Sequence, residues 1–209
     1  MGEALIFPLF STPLFVRHDL EWDNQKAVEY LESIEWQDIR MNNGKSTVNH
    51  SLLDEPEMAD VRQLIEDNLK TYLFDFLDIA EHHTLRHSAS WAMLHERGDF
   101  AQQHMHKNSQ FSGVLYVQTP ENSGDWVLFD APDTQPTFAS QTLSPDVANQ
   151  NLYNSRCYRA PVTEKTICIF PSHLYHKTPA SKTDEKRYCI AFDYFLSGRY
   201  GQQAGSLTI

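Results

Sequence analysis

The chain has 209 residues, with 17 Lys and Arg against 28 Asp and Glu, a formal net charge of −11. That length suits one domain of about 100–200 residues with a core of its own, so neither a disulfide framework nor a structural metal is needed to hold it. The acidity, with no basic stripe carrying interleaved aromatics, argues against phosphate backbones and anionic lipid, so neither nucleic acid nor membrane is expected as a partner.

The opening stretch "MGEALIFPLFSTPLF" is apolar, but Glu3, two prolines and the lack of a basic flank make it a poor signal peptide. No apolar run approaches the roughly 20 residues of a membrane span, and a cytoplasmic location is expected. After Asp23, a plausible N-cap, Ala27, Tyr30, Leu31 and Ile34 recur with the spacing of one helix face. A second helix is expected over "LLDEPEMADVRQLIEDNLKTYLFDFL", with Asp54 as cap, Pro56 in the first turn and Glu57 three residues after the cap. Met58, Val61, Ile65, Leu69, Tyr72 and Phe76 would form its apolar face, laid on a sheet.

From Arg86 onward the texture changes. "RHSASWAMLHE", "FSGVLYVQ", "DWVLFD", "TICIFP" and "RYCIAFDYF" are short runs of branched and aromatic residues separated by Gly, Pro, Asn or Asp, which read as strands. Between Ala131 and Pro161 lies a polar, proline- and asparagine-containing insert, read as either a substrate lid or a linker. Helices first and strands later predict an α+β protein, with the helices buttressing a double-sheet or barrel core. Cys157, Cys168 and Cys189 form no Cys-x-x-Cys pair and are expected as free thiols.

The chemistry concentrates in "GDFAQQHMHKNSQFSGVLYV" and "IFPSHLYHKTPASKTDEKRYCIAF". In an extended "QQHMHK", His104 and His106 project to one side while Met105 turns away. Two imidazoles so placed can share a metal ion, with a third ligand from another strand, and His176 and His173 are the candidates. Arg187 opens the strand that follows, and its planar guanidinium suits a carboxylate. A His-x-His pair on its own is better explained by two solvated strand residues. His18, His50, His82, His83 and His87 follow no ligand spacing.

Order and spacing together resemble the Fe(II)/2-oxoglutarate-dependent oxygenases. "GDFAQQHMH" is similar to that family's glycine-led His-x-Asp stretch, "FPSHLYHKTPA" to its distal histidine followed by proline, and Arg187 to its carboxylate-binding arginine. The two long segments together more closely resemble a 2-oxoglutarate oxygenase subgroup of marine bacteria and phages. The resemblance implies a double-stranded β-helix, jelly-roll or cupin-like, within a single domain spanning 1–209. Residues 1–85 would be its mainly helical part and 86–209 the β-helix core. It implies Fe(II) as cofactor, bound by His104, His106 and His176, with 2-oxoglutarate and O2 as cosubstrates. Arg187 would clamp the far carboxylate of 2-oxoglutarate, with Tyr116 as either a hydrogen-bond donor to it or an ordinary strand tyrosine, and Cys189 at the cosubstrate-binding position of a serine, whose hydrogen bond it weakens or loses. Trp91, His95 and Asn108, with Gln103 beside them, would face a small-molecule substrate, a C–H of which is hydroxylated as 2-oxoglutarate gives succinate and CO2.

Three positions depart from the family pattern. His106 stands where the carboxylate ligand is expected, Cys189 where a serine follows the arginine, and His173 where the subgroup has tryptophan. Two alternatives therefore stay open: a cupin-like three-histidine metalloenzyme that does not use 2-oxoglutarate, and a non-catalytic β-helix module that binds a metal or ligand. A homodimer is also left open.

Overall fold

The sheet at the centre of the molecule is dictated by one strand that is apolar on both faces. The computed structural model describes residues 4–7, 11–41, 43–130, 146–151, 153–201 and 205–209. Among them are helices α1 (Asn24–Ser33) and α2 (Ala59–Lys70), and strands β1 (Phe15–Arg17), β2 (Trp36–Asp38), β3 (Lys45–Thr47), β4 (Thr84–His95), β5 (Ala101–His104), β6 (Phe111–Gln118) and β7 (Trp126–Asp130). They are followed by β8 (Cys157–Pro161), β9 (Ile167–Pro171), β10 (Tyr175–Thr178), β11 (Arg187–Ser197), β12 (Arg199–Tyr200) and β13 (Leu207–Thr208). Seven strands form one antiparallel sheet in the order β1-β9-β6-β11-β4-β3-β2, and four form a second in the order β5-β10-β7-β8. This is the double-stranded β-helix expected from the sequence, with the two α-helices packed on the larger sheet.

β11 lies in the middle of that sheet, between β4 and β6. Its side chains alternate faces. Tyr188, Ile190, Phe192, Tyr194 and Leu196 join Leu31, Ile65, Leu69 and Leu73 in the core between sheet and helices. Cys189 turns the other way and packs with Tyr116, Phe129, Cys168 and Phe170 between the two sheets. The odd-numbered side of β11 therefore faces the interior of the sandwich, and it carries Arg187 and Asp193 as well. Gly113 on β6 makes this layering fit. A Cβ there would run into the Phe192 ring and the Cys168 carbonyl.

The first helix forms as its sequence predicts. The Asp23 side chain accepts from the Gln25 backbone N–H, and Ala27, Val28 and Leu31 are buried. The second starts later than expected. Glu55 precedes Pro56 and takes the extended conformation that a following proline favours, φ −71° and ψ 138°. Two single 3₁₀ turns, Leu52–Asp54 and Pro56–Met58, therefore replace its first turns. Asp54 is no cap; its carboxylate accepts from Arg62 and lies 3.2 Å from His87 Nδ1. At its far end α2 widens into a π-helical turn, Thr71–Phe76. The wider turn shifts the helical phase, so Tyr72 and Leu73 are buried while Phe76, expected on the apolar face, is 71% exposed.

Residues 1–85 hold both helices and also β1, β2 and β3, which extend the large sheet at its two edges. Three-residue strands such as "WQD" and "KST" are too short to show an alternating pattern. Of the insert expected between Ala131 and Pro161, residues 131–145 and 152 lie outside the described residues. Cys157–Pro161 is not loop but β8, paired along its length with β7.

Candidate metal centre and carboxylate pocket

His104 closes β5, and His176 lies directly opposite it on β10. The strand predicted through "QQHMHK" ends at His104. His106 lies beyond it, on a loop fixed by the bond from its backbone N–H to the Ser172 carbonyl, 2.9 Å. The three rings converge, with centroids 4.3 Å apart for His104–His176 and 5.3 Å for each of the other two pairs. One nitrogen from each ring lies within 4.8 Å of the other two.

Hydrogen bonds fix which nitrogen that is. His104 Nδ1 is 2.7 Å from the Gln102 carbonyl, His176 Nδ1 is 3.0 Å from the Leu174 carbonyl, and His106 Nδ1 is 2.7 Å from Asp193 Oδ1. Each partner is an acceptor, so each Nδ1 carries the proton and donates it. All three imidazoles therefore present the lone pair of Nε2, the tautomer that a metal requires. Burial, reinforced by the neighbouring His104, pulls the His176 pKa down to about 3, and burial also lowers that of His104. Both are thus neutral near pH 7. A set of three imidazoles and no thiolate suits Fe, Zn, Cu or Ni, and ligands confined to one side leave coordination positions free.

A chain of hydroxyls holds the third ring's partner. Asp193 Oδ1 accepts from Ser112 Oγ as well as from His106, Ser112 also bonds Ser172 at 2.8 Å, and Ser109 donates to Ser172 at 2.8 Å. Neither Asp193 nor these serines stand out in the sequence reading. The signal that could have found Asp193 is a lone carboxylate in the apolar run "RYCIAFDYF", six residues from Arg187 and hence on its face.

Arg187 is 2% exposed, yet no carboxylate pairs with it among the described residues. Its Nη1 lies 3.3 Å from His95 Nδ1, its guanidinium carbon 5.1 Å from the Tyr116 ring centroid, and its Nε has no partner among the described residues. A buried cation left without a counter-charge costs several kcal/mol, roughly, so the geometry calls for an anion. The guanidinium also lies beside Gly124 and Thr178, since a Cβ at Gly124 would sit 3.4 Å from Arg187 Nη1 and 3.0 Å from Thr178 Cγ2. Thr178 is two residues beyond His176 on β10, a step of about 7 Å.

The remaining sequence-predicted residues divide between the ring cluster and the surroundings of Arg187. Trp91 stacks on His106, with centroids 5.6 Å apart. His95 is not with the rings but beside Arg187, walled off by Gly44, whose φ of 75° brings its backbone against the imidazole. Burial and then the Arg187 charge lower the His95 pKa to about 3, leaving a neutral ring whose Nδ1 accepts from the guanidinium. Tyr116 and Cys189 are 1% and 7% exposed, paired across β6 and β11, and burial raises both pKa values. Asn108 and Gln103 are exposed next to the ligand histidines in the chain, and His173, exposed on the turn before β10, is not one of the three convergent rings but lines a groove together with His106. A groove of about 670 Å³ runs along the loop, lined by Met105, His106, Phe111, Pro171, Leu196 and Tyr200 among others.

Residues 89–193, half of the chain, match the family model described as "Putative 2OG-Fe(II) oxygenase", and that stretch contains all three histidines, Arg187 and Asp193. Curated protein sequences yield no match. Among solved structures, the fold is similar to that of the non-heme alpha-ketoglutarate-dependent epimerase SnoN from nogalamycin biosynthesis, at 14% identity and a TM-score of 0.61, covering 91% of this chain and 82% of that one. It is also similar to a Pseudomonas putida prolyl-4-hydroxylase, at 14% identity and a TM-score of 0.58, covering 92% and 96%. HygX from Streptomyces hygroscopicus, solved with nickel and 2-oxoglutarate, gives 14% identity and a TM-score of 0.55, covering 88% and 82%. At these identities the neighbours establish the fold. The family match over half of the chain establishes descent, and the protein belongs to the 2OG-Fe(II) oxygenase family.

Proposed function

We propose that the chain, 1–209 acting as one domain, is an Fe(II)/2-oxoglutarate-dependent dioxygenase that hydroxylates a C–H of a small molecule. The observation that carries this reading is a pairing. Three imidazoles with convergent Nε2 atoms stand on neighbouring strands and a loop, and on β11 lies a buried guanidinium with which no carboxylate pairs among the described residues. His104, His106 and His176 would hold Fe(II). Arg187 would take the far carboxylate of 2-oxoglutarate, oriented by the neutral His95 and covered by Tyr116, with the Cys189 thiol where the family has a serine hydroxyl. Fe(II) and 2-oxoglutarate together supply the oxidising chemistry. With both bound, one O2 would be consumed, one oxygen atom going to succinate as CO2 leaves and the other to the substrate C–H.

The protein's own task is to hold the donors and keep water out. Phe129 and Phe170 pack against His176, and Cys168 lies with Tyr116 and Cys189, so this apolar layer would shield that side of the site from solvent. Trp91 and the exposed Asn108 would meet the substrate on the open side of the rings.

Anaerobic titration tests the reading. Fe(II) and 2-oxoglutarate added together to the wild type are expected to produce a visible charge-transfer band that neither gives alone, lost in His176→Ala and in Arg187→Ala. Iron bound without any band would favour a three-histidine metalloenzyme that does not use 2-oxoglutarate. Absence of site-specific Fe(II) binding would exclude both enzymes and leave a non-catalytic module. Succinate release across a metabolite panel would then identify the substrate.

A further inference from the structure

The family's facial site carries one carboxylate, and this chain puts His106 in its place. Three neutral ligands leave the full charge of a divalent ion uncompensated within the ligand set. The missing negative charge is nevertheless close by. Asp193 Oδ1 lies 2.7 Å from His106 Nδ1, both side chains are about nine-tenths buried, at 10% and 11% exposed, and no Lys or Arg pairs with the carboxylate among the described residues.

We propose that Asp193 is a positioning residue that supplies, one hydrogen bond further out, the carboxylate charge the ligand set lacks. The inference rests on the metal-site reading above. Three observations support it. The bond fixes the His106 tautomer and ring orientation, as carboxylates behind metal-bound histidines commonly do. The other two rings are held by neutral carbonyls, Gln102 and Leu174, so His106 alone among the three is backed by a charge. Finally, Asp193 is itself held. Ser112 donates to the same Oδ1, Ser172 and Ser109 extend the hydroxyl chain, and Ser88 Oγ donates to the Asp193 backbone carbonyl. An aspartate turned into the sandwich merely to fill space would not need a serine on its carboxylate and two more behind that one. Through the imidazole, the charge would raise the donor strength of His106 Nε2 and offset part of the metal's charge.

The test uses the full chain and Fe(II) alone, titrated anaerobically. Wild type and His176→Ala come first. One equivalent bound by the former and lost in the latter establishes the site, whereas no such binding overturns the site reading and this inference with it. Asp193→Asn preserves shape and an acceptor oxygen but removes the charge. Its metal-free form is expected to melt close to wild type, to bind Fe(II) about 10–100-fold more weakly, and, with 2-oxoglutarate added, to shift the charge-transfer band to higher energy. The double variant His106→Asp with Asp193→Asn moves the carboxylate inward and should recover affinity to within a few-fold of wild type. Wild-type affinity and an unmoved band in Asp193→Asn would overturn the proposal, as would a double variant no better than Asp193→Asn.

Discussion

Arg187 is the residue whose environment makes least sense without a ligand. Its charge is enclosed by Tyr116, His95 and the Gly124 turn, and its Nε is unpartnered among the described residues. Arg187→Ala should weaken 2-oxoglutarate binding on the order of 10²-fold or more, because removing one member of a buried charge pair costs a few kcal/mol. Fe(II) affinity should be nearly unchanged, and separate titrations of the two ligands check this. Arg187→Lys should recover little, since a lysine cannot present two parallel N–H donors. Arg187 and the histidines were legible in the sequence because metal and carboxylate chemistry admits few residue types and the chain spaces them in a recognisable order. Asp193 was not, because its partners His106 and Ser112 lie 87 and 81 positions away. A strand register, not a motif, brings them together.

At the scale of the element, β11 joins structure and site. Its even-numbered side chains fill the core under the helices, and its odd-numbered ones line the interior with Arg187, Cys189 and Asp193. Ile190→Ala, on the helix side, should cost about 2–5 kcal/mol of stability, as deletions of buried aliphatic side chains do. Fe(II) affinity at permissive temperature should stay at the wild-type value, as paired denaturant melts and metal titrations would show. Gly113→Ala should destabilise through collision with Phe192, and Phe192→Leu added to it should restore part of the loss in the same melts. The long strands were legible from their branched and aromatic runs, and α1 from its cap. The start of α2 was misread because Pro56 was taken as a first-turn residue, whereas its hold on Glu55 breaks the helix before it can begin. The exposure of Phe76 follows from a π turn that no 3.6-residue pattern encodes.

For the whole molecule, burying neutral histidine in the interior makes stability depend on pH. His95 has a folded-state pKa of about 3, below its ordinary value near 6.5. The unfolded chain therefore takes up a proton at a pH where the folded one does not. The folded state keeps its full margin above about pH 6.5 and loses it as pH falls toward 3, at up to about 1.4 kcal/mol per pH unit for this one group. His95→Gln keeps an acceptor for Arg187 without the titration, and should give a flatter stability profile across that window, measured by urea unfolding at a series of pH values. A wild-type profile equally flat would contradict the buried, neutral assignment. The double-sheet architecture followed from strand runs arriving after helices, whereas the short strands β1–β3 at the sheet's margins were invisible because such strands are chosen by tertiary pairing.

The central claim is that one cavity holds a metal at the three histidines and 2-oxoglutarate between that metal and Arg187. Anomalous scattering at the iron edge, from crystals grown anaerobically with Fe(II) and 2-oxoglutarate, tests it most directly. The account predicts a single iron peak bound by Nε2 of His104, His106 and His176, with the far carboxylate of 2-oxoglutarate on the Arg187 guanidinium. An iron peak away from these three nitrogens, or 2-oxoglutarate bound without Arg187, would contradict it.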